Sequence, residues 1–301
     1  MNPNSPSQNI ADLDPAEPRL PPEIEREILV LAFHTSTIAS RANLLLISKR
    51  AFTWLNPITY QVVAPNESIG GEYTPPPTFL SKYGSHVLHV RTTNSDSSCS
   101  ESSILSLCPN ITNLVIWTTI SSETVPKLFR LSNLKRLSFH CPGDLEDRLR
   151  ELYDDRGISK DPAMISRRKW CSNITHLAWG SITYEQSVPL LTQFPNLTHV
   201  LLGAWNSVNI VLQILKFCPG LKVLISLLAN FGPSEKTFAV DVSPEGRAID
   251  VGDIRVVTIE GELVKDWLRG SWGGDDMWII AERRVEERRR LKRLADSGAC
   301  N

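Results

Sequence analysis

From about residue 87 onward, the apolar positions of the chain recur in one short motif, apolar-x-x-apolar-x-apolar. Most successive copies are 23 or 24 residues apart, and two longer steps of 40 and 33 residues interrupt the series. The first apolar residues of the copies are Val87, Ile111, Leu134, Ile174, Leu197, Leu221 and, in a less regular last copy, Ile254. The alternation predicts a short strand in each copy, and the segments between copies have helical spacing. We therefore expect an α/β fold of repeated strand–helix units over residues 83–262.

A residue typical of tight turns stands directly before the first apolar position of each regular copy. It is Asn110, Asn133, Asn173 or Asn196 in four copies and Gly220 in the fifth. Because Asn and Gly both tolerate positive φ, we expect a turn with that backbone conformation at the entry to each strand. The period and the turn together are typical of an irregular leucine-rich-repeat solenoid, in which parallel strands alternate with helical returns.

Three of the six cysteines share one register of the repeat. Cys108, Cys171 and Cys218 stand where other copies have Leu131 and Phe194. Exchange with large apolar residues predicts that these thiols are buried in the core and are not catalytic. The cysteine spacing fits neither a zinc cluster nor a disulfide framework, so we expect no metal and no other cofactor.

The outward-facing positions of the strands are expected to form two ladders across the sheet. The first comprises His89, Asn113, Arg136, His176, His199 and Val223, and the second comprises Arg91, Val115, Ser138, Ala178, Leu201 and Ile225. We expect this concave face to bind a protein partner, and the candidate contact residues are Arg91, Asn113, Arg136, His176 and His199. His176 and His199 are predicted neighbours that could share a metal with His140, but a surface for a protein is the favoured interpretation.

The step of 40 residues contains an insertion near residues 143–168. Leu145, Leu149 and Leu152 follow helical spacing and predict an amphipathic helix there. The charged residues around them favour a solvated excursion from the repeat, although an insertion can also form part of a binding surface.

Residues 263–301 follow the last repeat and are predicted to form a C-terminal cap. Three tryptophans are expected to pack this segment onto the last repeat: Trp267, Trp272 and Trp278. Asp275 is the predicted N-cap of a terminal helix, because an Asp side chain accepts a hydrogen bond from free backbone amides there. The helix has a net charge of +4 over residues 282–293, which indicates either a solvated surface or a patch for nuclear import or an acidic partner.

A different pattern precedes the repeats, in a helical module over residues 18–60. After two prolines that suit a helix start, Ile24, Ile28 and Leu31 recur at i, i+4 and i+7 and form one apolar stripe. A second apolar helix is predicted over Ala39–Lys49. A module of this size buries little of its own stripe, so that either the repeats or another protein must cover it.

The borders of this module are less regular. We expect its last element to be a short aromatic turn that ends at Pro57, with Phe52 and Trp54 in it. Residues 61–82 include three consecutive prolines and are predicted to be a linker. Residues 1–17 are polar and proline-containing, and we expect them to be disordered.

Three short segments of the N-terminal module carry a likeness to a known family. They are Leu20-Pro-Pro-Glu-Ile, Leu45-Leu-Ile-Ser-Lys-Arg and Trp54-x-x-Pro57-x-x-Tyr60. Together they resemble an F-box, and the whole chain resembles the F-box-like proteins with degenerate leucine-rich repeats of mushroom-forming (basidiomycete-type) fungi. A C-terminal segment with Asp266-Trp, Gly273-Gly-Asp-Asp and Trp278, followed by a charged helix, adds to the likeness.

The resemblance implies a substrate-recognition adaptor of a cullin–RING (SCF-type) ubiquitin ligase. Residues 19–60 would bind the Skp-type adaptor protein, and the repeats would hold a protein substrate. The adaptor-binding residues that it implies are Leu20, Pro21, Ile24, Ile28, Ile47, Phe52 and Trp54. The alternative is a stand-alone repeat scaffold for protein interaction, in which the N-terminal hairpin only caps the solenoid.

Composition excludes several other classes of function. Lys and Arg number 32 against 33 Asp and Glu, so that no global field favours nucleic acid or a membrane surface. No catalytic triad, His-Glu-x-x-His motif or phosphate-binding loop stands out, and we expect a protein that is not an enzyme. The most apolar stretch is interrupted by lysine, proline and glycine, and the N-terminus lacks the pattern of a signal peptide. We therefore expect a cytoplasmic or nuclear protein.

Overall fold

The computed structural model describes residues 20–64, 76–92, 100–141, 144–155, 162–180, 185–203, 208–229 and 252–297. The disorder expected for residues 1–17 lies outside these ranges. The chain divides into two compact units, Met1–Ile58 and Thr59–Asn301. The fold is α/β, with helices in the first unit and a parallel sheet with helices in the second.

The described part of the first unit consists of α1 (Pro22–Thr35), α2 (Ile38–Leu46) and α3 (Lys49–Thr59). Side-chain hydroxyls begin the two later helices. Thr37 Oγ1 accepts a hydrogen bond from the Ser40 N–H at 3.3 Å, and Ser48 Oγ accepts one from the Ala51 N–H at 3.0 Å. Each bond satisfies an amide that the helix itself leaves free.

Helix α3 replaces the aromatic turn that was expected to end at Pro57. Ala51, Leu55 and Ile58 recur at i, i+4 and i+7 and are all buried, which stabilises a continuous helix through this segment. Pro57 lies in its last turn, where its ring removes only the backbone hydrogen bond to the carbonyl of Thr53. The free energy gained by burying this stripe therefore exceeds the cost of the one hydrogen bond that Pro57 removes.

The described residues of the second unit form a sheet of eight parallel strands, which stand in the order in which they occur along the chain. They are β1 (Val62–Val63), β2 (His89–Thr92), β3 (Asn113–Thr119), β4 (Arg136–Cys141), β5 (His176–Trp179), β6 (His199–Leu202), β7 (Val223–Ala229) and β8 (Val256–Gly261). Sequential parallel order requires each connection to return to the end of the sheet where the strands begin, and the described helical segments provide this return between β2 and β7.

The strand register confirms both predicted ladders from β2 to β7. Asn113 pairs with Arg136, Arg136 with His176, and His176 with His199. The second ladder pairs Ser138 with Ala178, and the same offset holds across the other strands. The repeat arithmetic thus predicts which residues are neighbours across the sheet.

The helical returns pack on the opposite side of the sheet from these ladders. They are α4 (Pro77–Tyr83), α5 (Glu101–Leu107), α6 (Val125–Leu128), α7 (Asp144–Asp155), α8 (Pro162–Cys171) and α9 (Val208–Phe217), with 3₁₀ segments at Gly84–His86 and Glu185–Gln193. Helices α7 and α8 form the insertion, where Leu145 and Leu149 are buried as the spacing predicts, while the side chain of Leu152 lies outside the described residues. Two further helices, α10 (Leu263–Ser271) and α11 (Met277–Asp296), follow β8.

Two predictions differ from the structure: the linker at residues 61–82 and the register of the last strand. The segment expected to be a linker, residues 61–82, includes strand β1 and most of helix α4. Val62 and Val63 pair with β2, so that the sheet begins one strand before the first recognisable repeat. Strand β8 is shifted by one residue from the predicted register, since Leu224 pairs with Val256 and not with Val257. A shift of one residue exchanges the two faces of a strand, and Val257 consequently lies on the outward face.

In four copies an asparagine side chain holds the turn before the strand, and the fifth copy has a glycine there. Gly220, in the same register, lies outside the left-handed region. The amide Nδ2 of Asn173 donates to the carbonyl of Ser132 at 3.0 Å, and that of Asn196 donates to the carbonyl of Ser172 at 2.7 Å. Each asparagine therefore ties its turn to the turn of the preceding unit.

A single apolar cluster fills the space between the sheet and the returning helices. Cys108, Cys171 and Cys218 are buried in it, as their register predicts. Burial raises the pKa of Cys171 to about 12 and that of Cys218 to about 11, so both thiols are protonated at neutral pH. Among the helices that the structure describes, none has the length and apolar character to cross a membrane.

Candidate interaction surfaces

The first unit exposes an unusual number of large apolar side chains. Their exposed fractions lie between 43% and 81%, and we call them the N-terminal apolar surface: Leu20, Ile24, Ile28, Leu31, Leu46, Ile47 and Phe52. On α1 three of them recur at i, i+4 and i+7 and therefore share one face of the helix. The unit buries a different set of apolar residues, among them Phe33 and Leu55.

Most of the residues implied in adaptor binding belong to this surface. Pro21 is also exposed, while Trp54 is half-buried with the guanidinium of Arg50 over its ring at 5.7 Å. Leu31 and Leu46 are exposed apolar residues that were absent from the candidate set. Both belong to the apolar stripes of their helices, so helical spacing alone could have added them.

Polar contacts within the first unit hold the helices that carry this surface. Arg41 on α2 donates from Nε to the carbonyl of Phe33 at 3.0 Å and from Nη2 to the carbonyl of His34 at 3.3 Å. These are carbonyls of the last turn of α1, where a helix leaves its acceptors free. Arg50 on α3 also pairs with Glu25 on α1 at 2.9 Å. Together these contacts fix α1 against α2 and α3.

The outward face of the sheet, which was expected to receive a partner, is covered over β5–β8 by the chain's own C-terminal helix. Met277, Ala281 and Val285 recur along α11 at i, i+4 and i+8 and are buried. They pack on outward-facing apolar residues of four strands: Ala178, Leu201, Val223, Ile225, Leu227, Val257 and Ile259. The C-terminal segment thus lies across the sheet. The prediction that it only caps the last repeat is wrong, because α11 covers four strands.

The candidate partner-binding residues Arg136, His176 and His199 all contact this C-terminal segment. Arg136 Nη1 donates to Asp276 Oδ2 at 2.6 Å. His199 Nε2 lies 2.9 Å from Glu282 Oε1, and only 3% of His199 is exposed. Arg91 and Asn113 are buried as well. Arg136, His176 and His199 therefore support the C-terminal segment, and the buried Arg91 and Asn113 present little free surface.

His176 and His199 form a stacked pair beneath α11. Their ring centroids are 4.1 Å apart and their planes differ by 2°. The indole of Trp278 meets both rings edge-on, at 5.2 Å and 5.9 Å. A hydroxyl oxygen lies 2.8 Å from each Nδ1, that of Thr175 for His176 and that of Thr198 for His199.

The environment of this pair favours neutral imidazoles. Burial, together with the nearby charges of His199 and Arg136, lowers the pKa of His176 to about 2. Burial also lowers the pKa of His199, although the carboxylate of Glu282 opposes the shift. Within the described residues, no cluster of three or more His, Cys, Asp or Glu could hold a metal ion, and the side chain of His140 lies outside them.

The turn between α10 and α11 is built by carboxylates and glycines. Asp276 is the N-cap of α11, one residue after the predicted position, and its Oδ1 accepts from the Ile279 N–H at 3.0 Å. Asp266 on α10 accepts from the Met277 N–H at 2.8 Å. Burial raises the pKa of Asp266, while this amide and the Arg269 guanidinium oppose the shift.

Close packing explains Gly270, and backbone conformation explains Gly273. A Cβ on Gly270 would lie 2.7 Å from the Cβ of Asp276, which leaves no room for a side chain. Gly273 has φ of 82°, in the left-handed region that glycine adopts without strain. The glycines and acidic residues of this segment therefore position α11. Trp267 is buried, and Trp278 contacts β5 and β6 through the histidine pair.

No protein-family model matches the chain, and no curated protein matches it either.

Proposed function

We propose that the chain is a protein-interaction adaptor of a cullin–RING ubiquitin ligase. In this proposal the first unit is an F-box-like module that binds the Skp-type adaptor protein, and the second is an irregular leucine-rich-repeat solenoid that holds a protein substrate. The observation that carries the proposal is the N-terminal apolar surface, with seven large apolar side chains between 43% and 81% exposed.

The cost of leaving these side chains in water supports a docking role. Burial of one large aliphatic or aromatic side chain contributes about 1.5–3 kcal/mol. Several of them, concentrated on a unit of fewer than sixty residues, would supply the apolar centre of an interface. Glu23, Arg26 and Glu27 are exposed on the same helix and would form part of its polar rim.

Three features of the second unit support the repeat interpretation. Its strands are parallel and follow chain order, their register reproduces the period of 23 or 24 residues, and asparagine side chains connect successive turns. Repeat proteins of this kind use their extended surfaces to bind other proteins.

The position of α11 changes the proposed route to the substrate. Since α11 covers β5–β8, we assign Arg136, His176 and His199 to holding that helix and not to direct contact with the substrate. The substrate would then contact the solvent side of α11, where Glu286, Glu287 and Arg290 are exposed. This proposal places the specificity surface on the C-terminal helix.

A binding assay with a matched pair of variants tests the adaptor role. In one variant, Ile24→Asp and Ile28→Asp place two charges on the N-terminal apolar surface. The control variant carries Val208→Asp and Leu212→Asp on α9, where both residues are 48% exposed and have the same i, i+4 spacing. Binding is measured by co-purification of the intact chain with a fungal Skp-type adaptor.

We expect the α1 variant to lose adaptor binding and the α9 variant to retain it. Because all four positions are exposed, thermal unfolding of both variants should match that of the unmodified chain. An intact chain that fails to bind the adaptor at micromolar concentration would make the ligase proposal wrong and leave the stand-alone scaffold as the better interpretation.

A further inference from the structure

Strand β8 stands at one end of the sheet order, and its free edge faces α11. Within the described residues, β8 pairs only with β7. The Leu224 N–H donates to the carbonyl of Arg255 at 2.9 Å, so that this carbonyl points toward β7. Successive residues of a strand direct their backbone groups to opposite sides. The carbonyls of Val256 and Thr258 therefore point away from β7, toward the free edge.

Two arginines of α11 donate to these two carbonyls. Arg288 Nη1 lies 2.5 Å from the Val256 oxygen, and Arg284 Nη1 lies 2.8 Å from the Thr258 oxygen. The two contacts run in opposite order along the helix and the strand, because the later arginine of α11 donates to the earlier residue of β8.

The other paired arginines of α11 have a different kind of partner. Arg283 pairs with Asp275, Arg289 with Glu286, Arg290 with Glu287, and Arg293 with Glu286. These are exposed side-chain pairs, which contribute little to stability. Arg284 and Arg288 instead satisfy acceptors of the strand edge itself, and this distinguishes them from a general basic surface.

An open strand edge is a template for another strand, and proteins protect such edges with charged residues or covering elements. We propose that Arg284 and Arg288 cap the β8 edge and prevent it from pairing with the β8 edge of a second copy of the chain. A second copy is the proposed occupant because two identical edges can pair antiparallel about a twofold axis. The Val256-Val-Thr-Ile sequence also has high β-propensity.

Substitution by methionine tests this proposal while keeping the unbranched side chain and the helix propensity. The edge variant carries Arg284→Met and Arg288→Met. The control carries Arg289→Met and Arg293→Met, which have the same i, i+4 spacing, the same loss of charge and the same added apolar surface on the same helix. The molar mass of each full-length variant is measured by sedimentation velocity over a wide range of concentration.

We expect the edge variant to double its mass with rising concentration, while the control and the unmodified chain keep one mass. Amide hydrogen exchange at Thr258 and Glu260 should slow in the associated form, because these amides lie on the same side of the strand as the capped carbonyls. If the edge variant unfolds, the single Arg288→Met variant replaces it, with weaker association expected.

Three results would overturn the proposal. The edge variant, or Arg288→Met in its place, could keep the mass of the unmodified chain. It could associate no more than the control, which would indicate that exposed methionine is responsible. It could associate with unchanged exchange at Thr258 and Glu260, which would place the contact on another surface or with another segment.

Discussion

The imidazole rings of His176 and His199 stack face to face, 4.1 Å apart and within 2° of parallel, beneath helix α11. The stacking follows from the strand register, because these residues are direct partners in β5 and β6. Trp278 covers the edge of the pair, and the Glu282 carboxylate lies 2.9 Å from His199 Nε2. The pair therefore forms part of the contact between the sheet and the C-terminal helix.

Stability should fall as the pH is lowered through the interval in which the histidines of the unfolded chain become protonated. The pKa of His176 is lowered to about 2, and that of His199 is also lowered, relative to about 6.5 in the unfolded chain. Below about pH 6.5 the unfolded state therefore takes up protons that the folded state does not. We expect the free energy of unfolding to decrease by up to about 1.4 kcal/mol per pH unit for each histidine.

Chemical denaturation between pH 7.5 and 4.5 measures this slope. A double variant with His176→Asn and His199→Asn removes both titrating groups and keeps a polar atom near each Nδ1, so its slope should be smaller. An unchanged slope in the double variant would contradict the assignment to this pair.

Asp276 should be the most important acidic residue of the C-terminal segment. Replacement by Ala removes both the N-cap of α11 and the partner of Arg136, whereas Asp276→Asn keeps an oxygen for the Ile279 amide. We expect Asp276→Ala to lower the free energy of unfolding by about 2 kcal/mol or more and Asp276→Asn by roughly 1 kcal/mol less. Urea denaturation measures the difference.

The adjacent acidic residue provides the control for this prediction. Asp275 was the N-cap predicted from the sequence, but it pairs with Arg283 at the surface. Asp275→Ala should therefore change the free energy of unfolding by less than about 0.5 kcal/mol. A larger loss for Asp275→Ala than for Asp276→Ala would mean that the cap is assigned to the wrong residue.

Gly270→Ala should destabilise the chain although alanine is the better helix former. In an open helix this substitution stabilises by about 0.5–1 kcal/mol. At Gly270 the new Cβ would lie 2.7 Å from Asp276, and we expect a net loss of about 1–3 kcal/mol in thermal or urea unfolding. Gly220→Ala is the control, because no atom lies within 4 Å of its Cβ position. Equal effects at the two sites would refute the packing argument.

The sheet was predictable because its repeat fixes a physical register. Equivalent residues of parallel strands are neighbours, so the sequence spacing alone places Arg136 beside His176 and His176 beside His199. The prediction fails at β8, where the irregular last copy contains adjacent apolar residues. Val256 and Val257 both suit a buried position, and only packing on both faces of the strand decides which one points inward.

The covering of the outward face was not predicted, because α11 has a weak apolar pattern. Its largest aliphatic residues near the C-terminus, Leu291 and Leu294, are exposed. The buried stripe is Met277, Ala281 and Val285, which includes a small residue and is surrounded by charges. Its i, i+4, i+8 spacing was a signal in the sequence, but nothing local indicates which surface it covers.

The proposed docking of the first unit is tested most directly by amide hydrogen exchange of the intact chain with and without a fungal Skp-type adaptor. Saturating adaptor should slow exchange in α1 and in the segment from Ile47 to Phe52, where the apolar side chains are exposed. It should leave the amides of β5 and β6 unchanged. Unchanged exchange in α1, or protection confined to the second unit, would contradict the account.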